Sequence, residues 1–208
     1  RHLSALIELC KKYDAFVRIN TMKPLNSVQM KYVMSIKQFY DGFQYLMQHC
    51  DNVENGESVL RTVTGQKNSK RCPCGISSFR IHSITPDGKI FVSPCVYMHD
   101  YKSSQDLLTH ELSDIINSDE FKVFRQRNAN PEMLRGCTGC EKVDVCGGGC
   151  AARSYLFNAV QTGNKSFLCK DPYCPKDYQH EFPQEQNMVN TQRLVHMDYL
   201  CTWIGKVK

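Results

Sequence analysis

Leu3, Leu6, Ile7 and Cys10 recur at the spacing of one helical face, which predicts an amphipathic helix over residues 2–13 with Cys10 packed in the core. In residues 15–20, AFVRIN, the apolar Phe16, Val17 and Ile19 read as a short strand buried against a sheet. A loop containing Lys23-Pro24 follows. Asn26 and Ser27 are candidate N-caps for a long helix through Met47. Helix, strand, loop and helix make one step of an α/β layer. Residues 51–70 are polar and carry Asn-Gly and Thr-Gly steps, so they read as an exposed connection and a domain boundary.

Beyond that boundary, residues 79–83 and 90–93 are strand-like runs around the turn sequence Pro86-Asp87-Gly88, a β-hairpin. Residues 106–127 read as mainly helical, with Leu107, Leu108, Leu112, Ile115 and Ile116 on one side and Phe121 and Phe124 continuing inward. Asn130-Pro131 ends that stretch. A helix over 151–160 stops at Gly163-Asn164, and 188–204 reads as a final amphipathic helix.

The chain has 208 residues, 41% of them hydrophobic and 23% charged, enough for a packed core without covalent staples. Its twelve cysteines therefore point to function rather than to stability. No secretory signal is present, and no apolar run approaches the ~20 residues of a membrane span. Cysteine-rich chains of that kind belong to a reducing, cytoplasmic setting and to metal or redox use. The net charge of +5 is scattered and forms no dense basic stripe, so neither nucleic acid nor membrane is expected as a partner. The first residues already read as mid-domain helix, as in the C-terminal piece of a longer protein.

The densest chemistry lies in CTGCEKVDVCGGGC, where Cys137, Cys140, Cys146 and Cys150 stand at C-x2-C-x5-C-x3-C spacing. Four thiols within so short a stretch can close on an iron–sulfur cluster or zinc with little loop-closure entropy. Gly147, Gly148 and Gly149 let the backbone turn against a bulky ligand. Cys72, Cys74, Cys95, Cys169 and Cys174 flank the run, too many thiols for one tetrahedral site and enough for two. Cys72-Pro73-Cys74 offers two thiols from one face of an extended chain. Cys72, Cys74, Cys95 and one cysteine of the run would make one site. The other three with Cys174 or Cys169 would make a second. Clusters, zinc, disulfides and a dithiol redox pair all remain open on spacing alone. His49-Cys50 has no third ligand in local reach. His82, His99 and His110 are singletons, and no acid–base pair or nucleophile–base triad is evident.

The order of these thiols resembles the SPASM domain, the auxiliary-cluster domain of radical S-adenosylmethionine (SAM) enzymes that modify peptides and proteins. Cys74 is followed by Gly88, Cys95, the central run and the closing segment Asp171-Pro172-Tyr173-Cys174. Six residues separate Gly88 from Cys95 where the family usually has four, and Cys72 stands closer to Cys74 than the family's early ligands do. The resemblance covers residues 71–178. It implies an α+β fold, a β-hairpin with cysteine-rich loops and helices, preceded in residues 1–50 by the last α/β unit of a partial TIM-like barrel. Residues 51–70 would be the linker and 179–208 a C-terminal tail and helix. It also implies two [4Fe–4S] clusters with interleaved ligands: Cys72, Cys74, Cys95 and Cys150 for one, Cys137, Cys140, Cys146 and Cys174 for the other. Cys169 is a spare thiol. In the parent enzyme, SAM and a third cluster, a peptide or protein substrate, a missing N-terminal core and a reductant such as flavodoxin or ferredoxin would follow. Arg18 and Asn20, at the end of the strand, could touch cofactor or substrate. The C-x3-C-x2-C motif of the SAM-cleaving cluster is absent, so these residues alone are expected to be catalytically silent. The competing reading is a zinc-stapled peptide-interaction module.

Overall fold

The computed structural model describes residues 2–50, 53–55, 57–64, 74–76 and 78–178. Cys72 and the helix expected over 188–204 lie outside these residues. The first helix, α1 (Leu3–Lys12), forms where its periodicity predicts and buries Ile7 and Cys10. Lys11 and Lys12 in its last turn complement the negative end of the helix dipole. The chain then enters strand β1 (Val17–Ile19), which buries Val17.

The long helix expected from Asn26 is divided. Asn26 caps only a 3-10 turn, Ser27–Tyr32, by accepting the Gln29 N–H. The α-helix proper, α2 (Ile36–His49), starts at Ser35. Ser35 and Gln38 form a reciprocal capping box, which satisfies two backbone donors where Asn26 satisfies one. α2 buries Phe39, Tyr40, Phe43 and Leu46.

Within the stretch expected to be an exposed connection, the described residues 53–55 and 57–64 form short elements, and several of them face inward, while 65–70 lie outside the described residues. Strand β2 (Val53–Asn55) pairs in parallel with β1, Val17 opposite Val53. Glu57, Ser58, Val59 and Leu60 are buried before the short helix α3 (Arg61–Thr64). The few apolar residues of this polar stretch are the ones turned inward, and Glu57 follows them because a buried cation awaits it. β1, α2 and β2 form a βαβ unit, since parallel neighbours need a crossover. Its core of Ile7, Val17, Phe39, Phe43 and Val53 also takes in Phe157 and Tyr173 from far along the chain.

Strands β3 (Arg80–Ile81) and β4 (Val92–Ser93) form the expected antiparallel hairpin, with Arg80 opposite Ser93. The Thr85 N–H donates to the Lys89 carbonyl (2.8 Å) to close its turn. The helical stretch expected over 106–127 breaks at Asn117 and Ser118 into α4 (Leu112–Ile116) and α5 (Asp119–Ala129). Val92, Ile115 and Phe121 join hairpin and helices in a small core. α6 (Val143–Cys146) lies within the thiol run, and α7 (Ala151–Thr162) leaves it and stops at Gly163. The architecture is mixed helix with two small sheets, an α+β arrangement. No helix among the described residues is long and apolar enough to cross a membrane.

Candidate metal centre

Seven of the described thiols fall into two groups, while Cys10 and Cys50 pack in the first core. Cys74 and Cys95 are buried in one hydrophobic cluster with Met98 and Phe124, and Cys150 packs against it. The Asn128 side chain donates to the Cys74 carbonyl (3.1 Å), fixing that segment on the end of α5. Half-buried Lys23 lies beside this group, with Nζ 4.0 Å over the Tyr97 ring. Burial works against its ammonium, but the Cys150 sulfur and the Glu57 carboxylate outweigh that and raise its pKa.

The second group is Cys137, Cys140, Cys146 and Cys174. Burial, then the neighbouring sulfurs of Cys146 and Cys174, pushes the Cys137 thiol up to about 11 in the metal-free chain. Burial also raises Cys146 and Cys174, opposed by backbone N–H groups aimed at their sulfurs: those of Gly148 and Gly149 at Cys146, that of Lys176 at Cys174. Metal loading here must release protons, and the amides stand ready to stabilise the thiolates formed. Among the described residues no three His, Cys, Asp or Glu side chains are gathered tightly enough for a single ion. Zinc draws every thiolate to about 2.3 Å from one centre. A [4Fe–4S] cube gives each thiolate its own iron, and the all-sulfur donor set fits such a cluster, as it also does a four-thiolate zinc.

The glycines between the groups have a steric reason. Gly148 and Gly149 have φ of +75° and +73°, and a Cβ on them would lie 2.3 Å from Leu134 Cδ1 and Asp171 Cβ respectively. Asp171 can approach so closely because it belongs to a buried polar hub. Its carboxylate accepts both Arg153 Nε–H and Nη2–H (2.7 Å each), the Cys150 N–H (2.7 Å) and the Tyr173 N–H (2.8 Å). Arg153, with no exposed surface, also pairs through Nη1 with Glu57 (2.7 Å) and bonds Thr21 (2.9 Å). Thr21 in turn donates to Glu57. The guanidinium lies 4.5 Å from the Tyr173 ring centroid, and Tyr40 donates to the Tyr173 carbonyl (2.6 Å). One hub thus ties the βαβ unit to Cys150 of one group and to the segment carrying Cys174 of the other.

Burial would raise the Glu57 carboxyl, but Arg153 and Lys23 outweigh it and hold it at about 2, below its ordinary 4.5. A depressed carboxyl contributes stability above its unfolded pKa and loses it as pH falls through the folded one. Unfolding free energy should therefore drop by about 3 kcal/mol between about pH 4.5 and 2. Urea titrations at a series of pH values test this, and Glu57→Gln should flatten that part of the profile.

The other sequence candidates lie elsewhere. Arg18 and Asn20 are exposed at the end of β1; the residues of that end that reach the interior are Thr21 and Lys23. The Cys169 sulfur is engaged by the Asn158 amide (2.7 Å) on α7. His82 bonds Ser93, His99 faces Arg80, and His110 meets Thr109.

Residues 72–141 match the SPASM family model, an iron–sulfur cluster-binding domain. The match takes in Cys72, Cys74, Cys95, Cys137 and Cys140 and stops short of Cys146, Cys150 and Cys174. No curated protein and no solved structure matches the chain. The resemblance read from the sequence thus holds over 72–141, and the domain it identifies implies iron–sulfur cluster binding.

Proposed function

We propose that the chain is the C-terminal part of a radical SAM enzyme that modifies a peptide or protein, and that it carries two auxiliary [4Fe–4S] clusters. The observation behind this reading is the division of seven of the described thiols into two separate groups, each drawing on the central run. Cys74, Cys95 and Cys150, with Cys72, would hold one cluster. Cys137, Cys140, Cys146 and Cys174 would hold the other. Such clusters supply one-electron transfer or a site that anchors substrate. The protein buries Cys74, Cys95 and Cys137, aims backbone N–H groups at the Cys146 and Cys174 sulfurs, and fixes both groups on one hub.

The βαβ unit would be the end of the catalytic barrel. A two-stranded parallel sheet is small for a layer that is normally covered on both faces. Leu6, Leu9, Tyr13 and Phe16 are exposed on α1 and the segment leading into β1, an apolar surface suited to the missing core. Anaerobic purification with iron, sulfide and zinc analysis tests the reading. About eight irons with matching sulfide per chain are expected from two four-iron clusters. About two zincs without labile sulfide would favour the zinc-stapled module instead.

A further inference from the structure

Among the described residues Arg127 is a buried cation with which no carboxylate forms an ion pair. It is 3% exposed, on the last turn of α5. Arg153 meets two carboxylates; Arg127 meets only neutral acceptors. Its Nε–H donates to the Phe167 carbonyl (3.1 Å) and its Nη2–H to the Gly148 carbonyl (3.0 Å). Nη1 donates to Asn128 Oδ1 (3.0 Å) and to the carbonyls of Gly149 (3.3 Å) and Gly147 (3.5 Å). The planar fork therefore gathers three successive carbonyls of the loop between Cys146 and Cys150, which a lysine ammonium could not do with the same geometry. Carbonyl dipoles solvate a guanidinium but leave its unit charge in place, and an unpaired buried charge is costly. Among the described residues the other fully buried charges pair with one another, Arg153 with Glu57 and Asp171, and half-buried Lys23 also lies near Glu57. The contact of Arg127 with the Gly147 carbonyl sets the guanidinium one residue from Cys146.

We propose that Arg127 is the built-in counter-cation of the cluster held by Cys137, Cys140, Cys146 and Cys174. It is a positioning residue for the glycine loop, and its charge raises that cluster's reduction potential. The inference rests on the cluster reading above. Four thiolates around a [4Fe–4S] core leave a net negative charge, which grows by one on reduction. A fixed cation nearby stabilises the reduced form more than the oxidised form.

The test is a redox titration followed by electron paramagnetic resonance on the anaerobically reconstituted full chain, as wild type, Arg127→Lys and Arg127→Gln. The glutamine variant should lower the midpoint of one cluster, with at least a tenfold smaller reduced-to-oxidised ratio at a fixed potential, about 59 mV for one electron. The other cluster should stay within a threefold change, and the lysine variant should keep the wild-type midpoint. If the glutamine variant fails to load while the lysine variant loads, the charge is again what matters. Unchanged midpoints in the glutamine variant, equal lowering in both variants, or failure of both to load would overturn the role assigned to the charge while leaving the clusters standing. A wild-type chain without iron or sulfide would remove the cluster reading and the inference together.

Discussion

Replacing Arg153 by methionine should destabilise the chain by about 3–5 kcal/mol and strip iron from both thiol groups. The magnitude is that of breaking a buried ion pair by removing one partner, which leaves the other charge buried and uncompensated. Here two carboxylates, Glu57 and Asp171, would be stranded at once. At roughly 2–4 °C per kcal/mol for a chain of this size, the melting temperature should fall by about 6–20 °C. The loss of iron has a separate cause. Asp171 holds the Cys150 and Tyr173 N–H groups, and freed from the guanidinium it loses the orientation that sets both Cys150 and the segment before Cys174. Urea unfolding and iron per chain, measured on the same preparations, separate the two effects. Asp171→Asn should keep part of the fold and still load less iron, because an amide cannot reproduce the paired acceptance. A loss below about 1 kcal/mol in Arg153→Met would mean that the hub contributes no more than an exposed ion pair.

Gly149→Ala should cost about 2–5 kcal/mol, against about 1–2 kcal/mol for Gly139→Ala, although both glycines sit between cysteines of the same run. Both have positive φ, +73° and +66°, so each alanine bears the left-handed strain of about 1–2 kcal/mol. Space separates them. A Cβ at Gly149 lies 2.3 Å from Asp171 Cβ, whereas one at Gly139 meets nothing within 4 Å. Overpacking adds about 1–3 kcal/mol, and here it pushes on the residue that positions Cys150. Thermal unfolding of the two variants checks the ranking; equal losses would show that the loop yields and that Asp171 is not pinned.

The thiol spacing and the hairpin were readable because each is local: Pro86-Asp87-Gly88 dictates its own turn, and C-x2-C-x5-C-x3-C needs no distant partner to be seen. The hub was not, because its members come from residues 21, 57, 153 and 171 and meet only after the chain has folded. Residues 57–60 looked like part of a solvated connection for the same reason: Glu57 reads as surface until its cation is known. One signal was available. Residues 151–157, AARSYLF, are buried throughout, and a helix apolar around most of its circumference belongs inside, so an arginine within it must have a buried partner. Asn26 and Ser27 are the helix starts read from the sequence, yet the capping box that starts α2 stands there as S-x-x-Q over Ser35–Gln38.

The most direct test of the two-group arrangement removes two thiols at a time. Cys74→Ala with Cys95→Ala, and separately Cys137→Ala with Cys140→Ala, would be reconstituted anaerobically and assayed for iron and paramagnetic resonance. Each pair should reduce about eight irons to about four and abolish a different reduced-cluster signal, leaving the other in place. Loss of the same signal in both pairs, or an iron content untouched by either, would contradict the account.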